Sequence, residues 1–189
     1  MAERLELAEI HQYLDWINVM TYDYAGYWSE KTNFNAPLYA TSLPQEPADS
    51  LLAEANVHDT IEVYLKGGVP ASKIVLGVPF FGKSWKGVAA ENDGLYQKND
   101  GLSDIGASWV SVSTVHGEMA HHWDEEARVP WLHDAEAGLW VSYESPRSIG
   151  LKGAYALERG LAGAMFWELT GDSASNELLR ALLLGLTGE

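Results

Sequence analysis

Tyr22, Asp23 and Tyr24 close a short apolar run, Ile17 to Met20, and form the first point in the chain where side chains capable of chemistry gather. A carboxylate between two phenols can orient or accept a proton while its neighbours donate hydrogen bonds. Ile17, Val19 and Met20 read as a strand covered on both faces, and the carboxyl ends of such strands are where parallel α/β architectures bind ligands. The alternative is that Asp23 caps the next turn and the tyrosines pack. Two further runs break in the same way. KIVLGVPF, Lys73 to Phe80, gives way to Phe81 and Lys83, and AGAMFWEL ends in Trp167 and Glu168. His116, His121 and His122 lack the i, i+4 spacing around a glutamate that a helical zinc site needs, so a surface role is expected of them and no metal or other cofactor is called for.

The elements that must position these residues follow from periodicity and turn signals. Leu5, Leu7, Ala8, Ile10, His11 and Leu14 predict an amphipathic helix within residues 1–16. After the first strand a long polar loop is expected, with Pro44 and Pro47 arguing against regular structure. Asp49 or Ser50 is placed to cap a helix through Leu52, Ala55, Ile61 and Leu65, ended by Gly67 and Gly68. Beyond Lys86 the texture changes to turn dipeptides and short alternating pieces such as GLWVSY, which read as antiparallel strands. Pro146 starts a helix with Ile149, Ala156 and Leu157 among its apolar positions and Gly160 as its stop, and NELLRALLLG is a final helix. The expected organisation is a parallel portion at 1–85 and 146–189 with three buried strands, and an inserted α+β subdomain at 86–145.

Composition limits the partners. The 189 residues are 47% apolar, enough for one sizeable core. Twelve Lys and Arg face 27 Asp and Glu, and the net charge of −15 repels nucleic acid and anionic membrane. Eight Trp and nine Tyr suit either an aromatic-rich core or stacking on the apolar faces of sugars, and composition leaves both open. The absence of Cys excludes disulfides, thiolate metal sites and Cys nucleophiles. MAERLELAEI has no apolar central region, so no signal peptide is expected there, and no run reaches the length of a membrane span.

In this order, MTYDYAGYW, GVPFFGKSW and GLAGAMFWELTGD, joined by VPASKIVLGVPF, HWDEEARVPWLHD and SYESPRSIGLK, resemble the last three strands of family-18 glycoside hydrolases, the chitinases and their relatives. The resemblance implies an α/β fold: a partial (β/α)8 TIM barrel of three strands and their helices, carrying the insertion between the second and third. It implies N-acetylglucosamine oligomers or chitin as ligand and a substrate-assisted retaining reaction, in which the substrate's own acetamido oxygen attacks the anomeric carbon. By resemblance Tyr22 hydrogen-bonds the acetamido carbonyl, Asp23 binds a sugar hydroxyl, Met20 shapes the floor, Trp167 lies under the distorted sugar and Trp28 stacks on the leaving side. Phe81 and Lys83 stand where the family commonly has Tyr and Arg; the first loses a hydroxyl and the second the forked guanidinium geometry.

The family's proton donor, the last residue of Asp-x-x-Asp-x-Asp-x-Glu, has no match in this chain, and Asp23 and Glu168 are not convincing replacements. Glu168 alternates with Trp167 and is expected to face the helices. The sequence therefore reads as the carboxyl-terminal part of a catalytic domain, inactive alone, because a general acid contributes roughly two to four powers of ten in rate. Open sheet edges and an uncovered barrel interior predict self-association or pairing with the missing barrel half. A non-catalytic oligosaccharide-binding module is the competing reading. The parent family is usually secreted, but nothing in these residues sets a location for this chain.

Overall fold

The computed structural model describes residues 5–42, 55–115 and 119–189. Along the chain run α1 (Leu7–Ile10), β1 (Ile17–Met20), α2 (Val57–Lys66), β2 (Ile74–Pro79), β3 (Lys83–Lys86), α3 (Trp109–Val115), β4 (Ala120–Asp124), β5 (Val129–Asp134), β6 (Leu139–Ser142), α4 (Pro146–Glu158), β7 (Gly163–Trp167) and α5 (Glu177–Thr187). They form a parallel sheet ordered β1-β2-β7 and an antiparallel sheet ordered β3-β6-β5-β4.

Strand alternation explains the two faces of the parallel sheet. Val19, Leu76, Val78 and Phe80 bury against Val57 and Ile61 of α2, Ile149, Tyr155 and Ala156 of α4, and Leu178 and Leu182 of α5. Phe80 stacks flat on Phe166, with ring centroids 4.5 Å apart. On the opposite face the register aligns Met20 with Gly77 and Met165, and Pro79 with Trp167. That face is open: Met20 is 66% and Trp167 60% exposed. This corrects the expectation of strands covered on both sides, since the sheet has helices against only one face among the described residues. Leu157 is also exposed, on the outer surface of α4, whereas Ile149 and Ala156 are in the core as expected.

Local signals set the helix limits. Asn56 caps α2, its side chain accepting the Asp59 N–H at 2.8 Å. The expected caps Asp49 and Ser50, with Leu52, Pro44 and Pro47, lie outside the described residues. Ser145 and Ser148 form a reciprocal capping box at the start of α4, with Pro146 at its first position. Nearby, Glu144 and Lys152 make a buried ion pair, and the Ser148 hydroxyl donates to the same carboxylate. The helix predicted within 1–16 is only a single turn followed by a 3-10 turn at His11–Tyr13. Among the described residues of this stretch Leu7 alone is buried, and the Lys73 ammonium takes the carbonyls of His11 and Leu14 at 2.8 Å each, which ends the helix.

The antiparallel sheet has an aromatic side and an aliphatic side. Trp85 pairs with Trp140, Trp140 with His133, and His122 with Trp131, so these side chains share one face. Trp85, Trp131 and Trp140 pack there on Phe34, Val88 and Leu95. Leu132, Val141 and Tyr143 project the other way onto Ala107, Val112 and Met119.

The polar loop expected after β1 forms no helix or strand of its own among its described residues, but residues 32–38 within it are an interior strap. Residues 32–38 are buried throughout. Thr32 exchanges hydrogen bonds with the backbones of Gly94, Tyr96 and Gln97, Leu38 N–H donates to Ala127, and Val57 and His58 N–H donate to Pro37 and Leu38. Polar composition did not reveal burial here because the strap's polar groups find partners from other segments rather than from water.

Candidate functional site

Met20, Tyr22, Asp23, Phe81, Lys83 and Trp167 line one open depression of about 460 Å³ at the carboxyl ends of the three parallel strands. Two of its sides are the ends of β1 and β2, and Trp167 at the end of β7 supplies a third. Six of the seven site residues read from the sequence thus come together. Trp28 does not line this depression. Its ring lies over Gly26, where any Cβ would approach within 2.8 Å of the indole, and meets Tyr27 edge-on at 4.8 Å. Tyr27 and Trp28 make a separate exposed aromatic pair.

The carboxylate and the phenol are held differently. Asp23 takes a left-handed backbone conformation, φ 61°, and its Oδ1 is 2.9 Å from Lys83 Nζ. The same ammonium sits 5.0 Å over the Phe81 ring, an arrangement that adds a cation–π attraction to the ion pair. Tyr22 meets Phe81 edge-on at 5.5 Å. Burial first, and the adjacent Asp23 charge second, push the Tyr22 pKa above 10, so its hydroxyl remains a hydrogen-bond donor. Tyr24, its neighbour in sequence, turns inward: the hydroxyl bonds Thr60 at 2.6 Å, and burial raises its pKa further. It braces β1 against α2.

One expectation changes. Glu168 does not turn in among the helices; it is exposed and accepts the Thr170 hydroxyl at 2.8 Å. The peptide bond between Trp167 and Glu168 is cis. Of the histidines, His116 lies outside the described residues, His121 is exposed, and His122 stacks on Trp131 at 4.9 Å with Asp93 3.6 Å away. Among the described residues no three His, Asp or Glu side chains converge as a metal would require. No helix of the described residues is long and apolar enough to cross a membrane.

Sequence reasoning missed Asn35, which is 2% exposed directly behind Asp23. Its side-chain oxygen accepts the Asp23 N–H at 3.2 Å and its amide nitrogen donates to the Phe81 carbonyl at 3.4 Å. Thr21 was also missed: its hydroxyl bonds the Gly77 carbonyl at 2.7 Å and ties β1 to β2 below the site. Neither carries a sequence signal beyond being a polar residue, because the partners that bring them to β2, the Phe81 and Gly77 carbonyls, lie 46 and 56 positions away.

The helix-backed parallel sheet thus gathers aromatic rings, a phenol and a carboxylate at its strand ends, the organisation of a β/α protein with an open depression at the carboxyl edge of its sheet. The chain belongs to the glycosyl hydrolases family 18, whose model matches residues 2–172. It is 38% identical over 187 residues to Chitinase A1 of Niallia circulans, covering 90% of this chain and 26% of that protein. In structure it is similar to Chitinase ChiA74 of Bacillus thuringiensis, with a TM-score of 0.82 and 34% identity over 99% of this chain and 34% of the other. It is similar as well to a family-18 N-acetylglucosaminidase of Paenibacillus barengoltzii, with a TM-score of 0.83 and 33% identity, covering 95% of this chain and 51% of that one. The chain thus spans about half of that structure and about a quarter of Chitinase A1. The antiparallel sheet between β2 and β7 agrees with an insertion in a family-18 barrel.

Proposed function

We propose that this chain is the carboxyl-terminal part of a chitinase-like glycoside hydrolase domain and supplies the binding wall for N-acetylglucosamine polymers. The observation that carries this reading is the convergence of Tyr22, Asp23, Met20 and Trp167 in one depression. Trp167 offers an exposed ring for a pyranose face, and Met20 an apolar floor beside it. The Tyr22 hydroxyl donates to the acetamido carbonyl, bending the group under the anomeric carbon. Asp23 accepts a hydrogen bond from a sugar hydroxyl while Lys83 and Phe81 close the adjacent side. Trp28, standing apart, extends the track on the leaving side. In the complete domain this geometry serves a substrate-assisted retaining reaction.

Among the described residues Asp23 is the only carboxylate lining the depression, and its partner is Lys83. The proton for the leaving oxygen then comes from an acid outside this chain, and the chain alone binds without hydrolysing. The open face bearing Met20 and Trp167 supports pairing with the rest of a barrel or with a second copy. Calorimetric titration with the N-acetylglucosamine tetramer tests the binding role. Saturable heat that Trp167→Ala weakens is expected; a flat titration overturns the reading. Robust turnover of a chromogenic chitobioside by the purified chain overturns the division of labour.

A further inference from the structure

We infer that Asn35 is a positioning residue that sets the spacing between the two sides of the depression, an inference that rests on the oligosaccharide-binding reading above. Asn35 contributes four hydrogen bonds from one buried position. Its Oδ1 accepts from the Asp23 N–H at 3.2 Å, and its backbone carbonyl accepts from the Tyr24 N–H at 3.1 Å. Its Nδ2 donates to the Phe81 carbonyl at 3.4 Å, and its backbone N–H donates to Ser142 Oγ at 2.8 Å. The amide orientation is fixed by these partners, since one end faces a donor and the other an acceptor.

The four bonds reach one member of the Asp23–Lys83 ion pair directly and the neighbours of the other. Asp23 is held directly, through the amide at its left-handed turn. Lys83 is held through its strand neighbours: it pairs with Ser142 in the antiparallel sheet and follows Phe81 by two residues. Gly82 between them lies so close to β6 that a Cβ would come 2.0 Å from the Ser142 carbonyl, which leaves this crossing no slack. Asn35 therefore links the end of β1, the end of β2 and the end of β6 in the antiparallel sheet, three elements that no bond between sequence neighbours joins. No shorter or purely apolar side chain both accepts from Asp23 and donates to Phe81.

Amide hydrogen exchange with tetramer titration tests this in the intact chain. In Asn35→Ala the Asp23 amide exchanges at least tenfold faster while the Leu76 and Val78 amides of β2 keep their rates, and the tetramer Kd rises at least fivefold. Asn35→Asp keeps an acceptor and restores most of the Asp23 protection. An Asp23 rate within twofold of wild type in Asn35→Ala, equal acceleration of Asp23, Leu76 and Val78, or an unchanged Kd alongside faster Asp23 exchange each overturns the inference. If Asn35→Ala does not fold, Ser142→Ala decides: faster exchange at both Asn35 and Asp23 supports the linkage, and an unchanged Asp23 rate sinks it. A wild-type chain that fails to bind the tetramer removes the proposed function alone, because the exchange rates still report whether Asn35 holds Asp23.

Discussion

Lys83 Nζ stands 2.9 Å from Asp23 Oδ1, joining the start of the antiparallel sheet to the end of the first parallel strand across the floor of the depression. Both side chains keep part of their surface in water, so the pair is a modest contributor to stability and a larger one to the arrangement of charge that a ligand meets. A thermal double-mutant cycle with Asp23→Asn and Lys83→Met is expected to give a coupling of about 0.5–1 kcal/mol. Raising sodium chloride to about 0.5 M reduces it, because screening is strong at that ionic strength. A coupling that does not respond to salt would show that the two side chains interact through packing instead.

Trp167 and Trp140 separate binding from folding. Trp167 is 60% exposed and Trp140 fully buried. Trp167→Ala therefore shifts unfolding stability by no more than about 0.5 kcal/mol but weakens tetramer binding roughly fivefold, the equivalent of about 1 kcal/mol of lost stacking. Trp140→Ala costs about 3–5 kcal/mol in urea unfolding. The opposite ranking would mean that the open face is closed in solution.

The part of the site that was legible in sequence is the part written locally. Tyr22 and Asp23, Phe81 and Lys83, and Trp167 each sit where a short apolar run meets a polar break, and strand period alone projects them to one end of the sheet. Asn35 is different. Its surroundings, TNFNAP, carry no periodicity, and its burial depends on Phe81 and Ser142 arriving from distant sequence. The amphipathic pattern of the first sixteen residues misled for the converse reason: apolar spacing was present, but among the described residues only Leu7 finds a buried surface, and Lys73 takes the carbonyls that would have extended the helix.

His133 makes stability pH-dependent. It is 5% exposed, and burial holds its pKa below 6.5, with His122 lowering it further and Asp93 and Asp134 opposing. The folded chain then binds fewer protons than the unfolded one just below pH 6.5, so stability is full above that value and falls as the pH drops toward the folded pKa. Melting temperatures between about pH 5 and pH 8 should slope accordingly, and His133→Phe should flatten that part of the slope. A slope identical in the variant would assign it to other groups.

The buried pair Glu144 and Lys152 gives a prediction of opposite character for single and double changes. Burial raises the Glu144 pKa and lowers that of Lys152, the direction expected when desolvation opposes both charges. Lys152→Met alone leaves a carboxylate without its counter-charge and costs about 3–5 kcal/mol. Glu144→Gln combined with Lys152→Met recovers much of that loss in chemical denaturation, and a double variant as unstable as the single one would point to packing of the lysine stem.

The strap at residues 32–38 also constrains when the site can exist during synthesis. Thr32 awaits Gln97, 65 positions later, and Asn35 awaits Ser142, 107 positions later. At roughly 5–20 residues per second, the ribosome makes Asn35 about 5–20 s before its partner. For that interval the Asn35 N–H has only water to bond, and no local structure replaces Ser142. The depression is consequently completed late, after the hairpins of the antiparallel sheet have emerged, and a pause in translation between residues 40 and 140 prolongs a stage in which Tyr22 and Asp23 are present but unplaced.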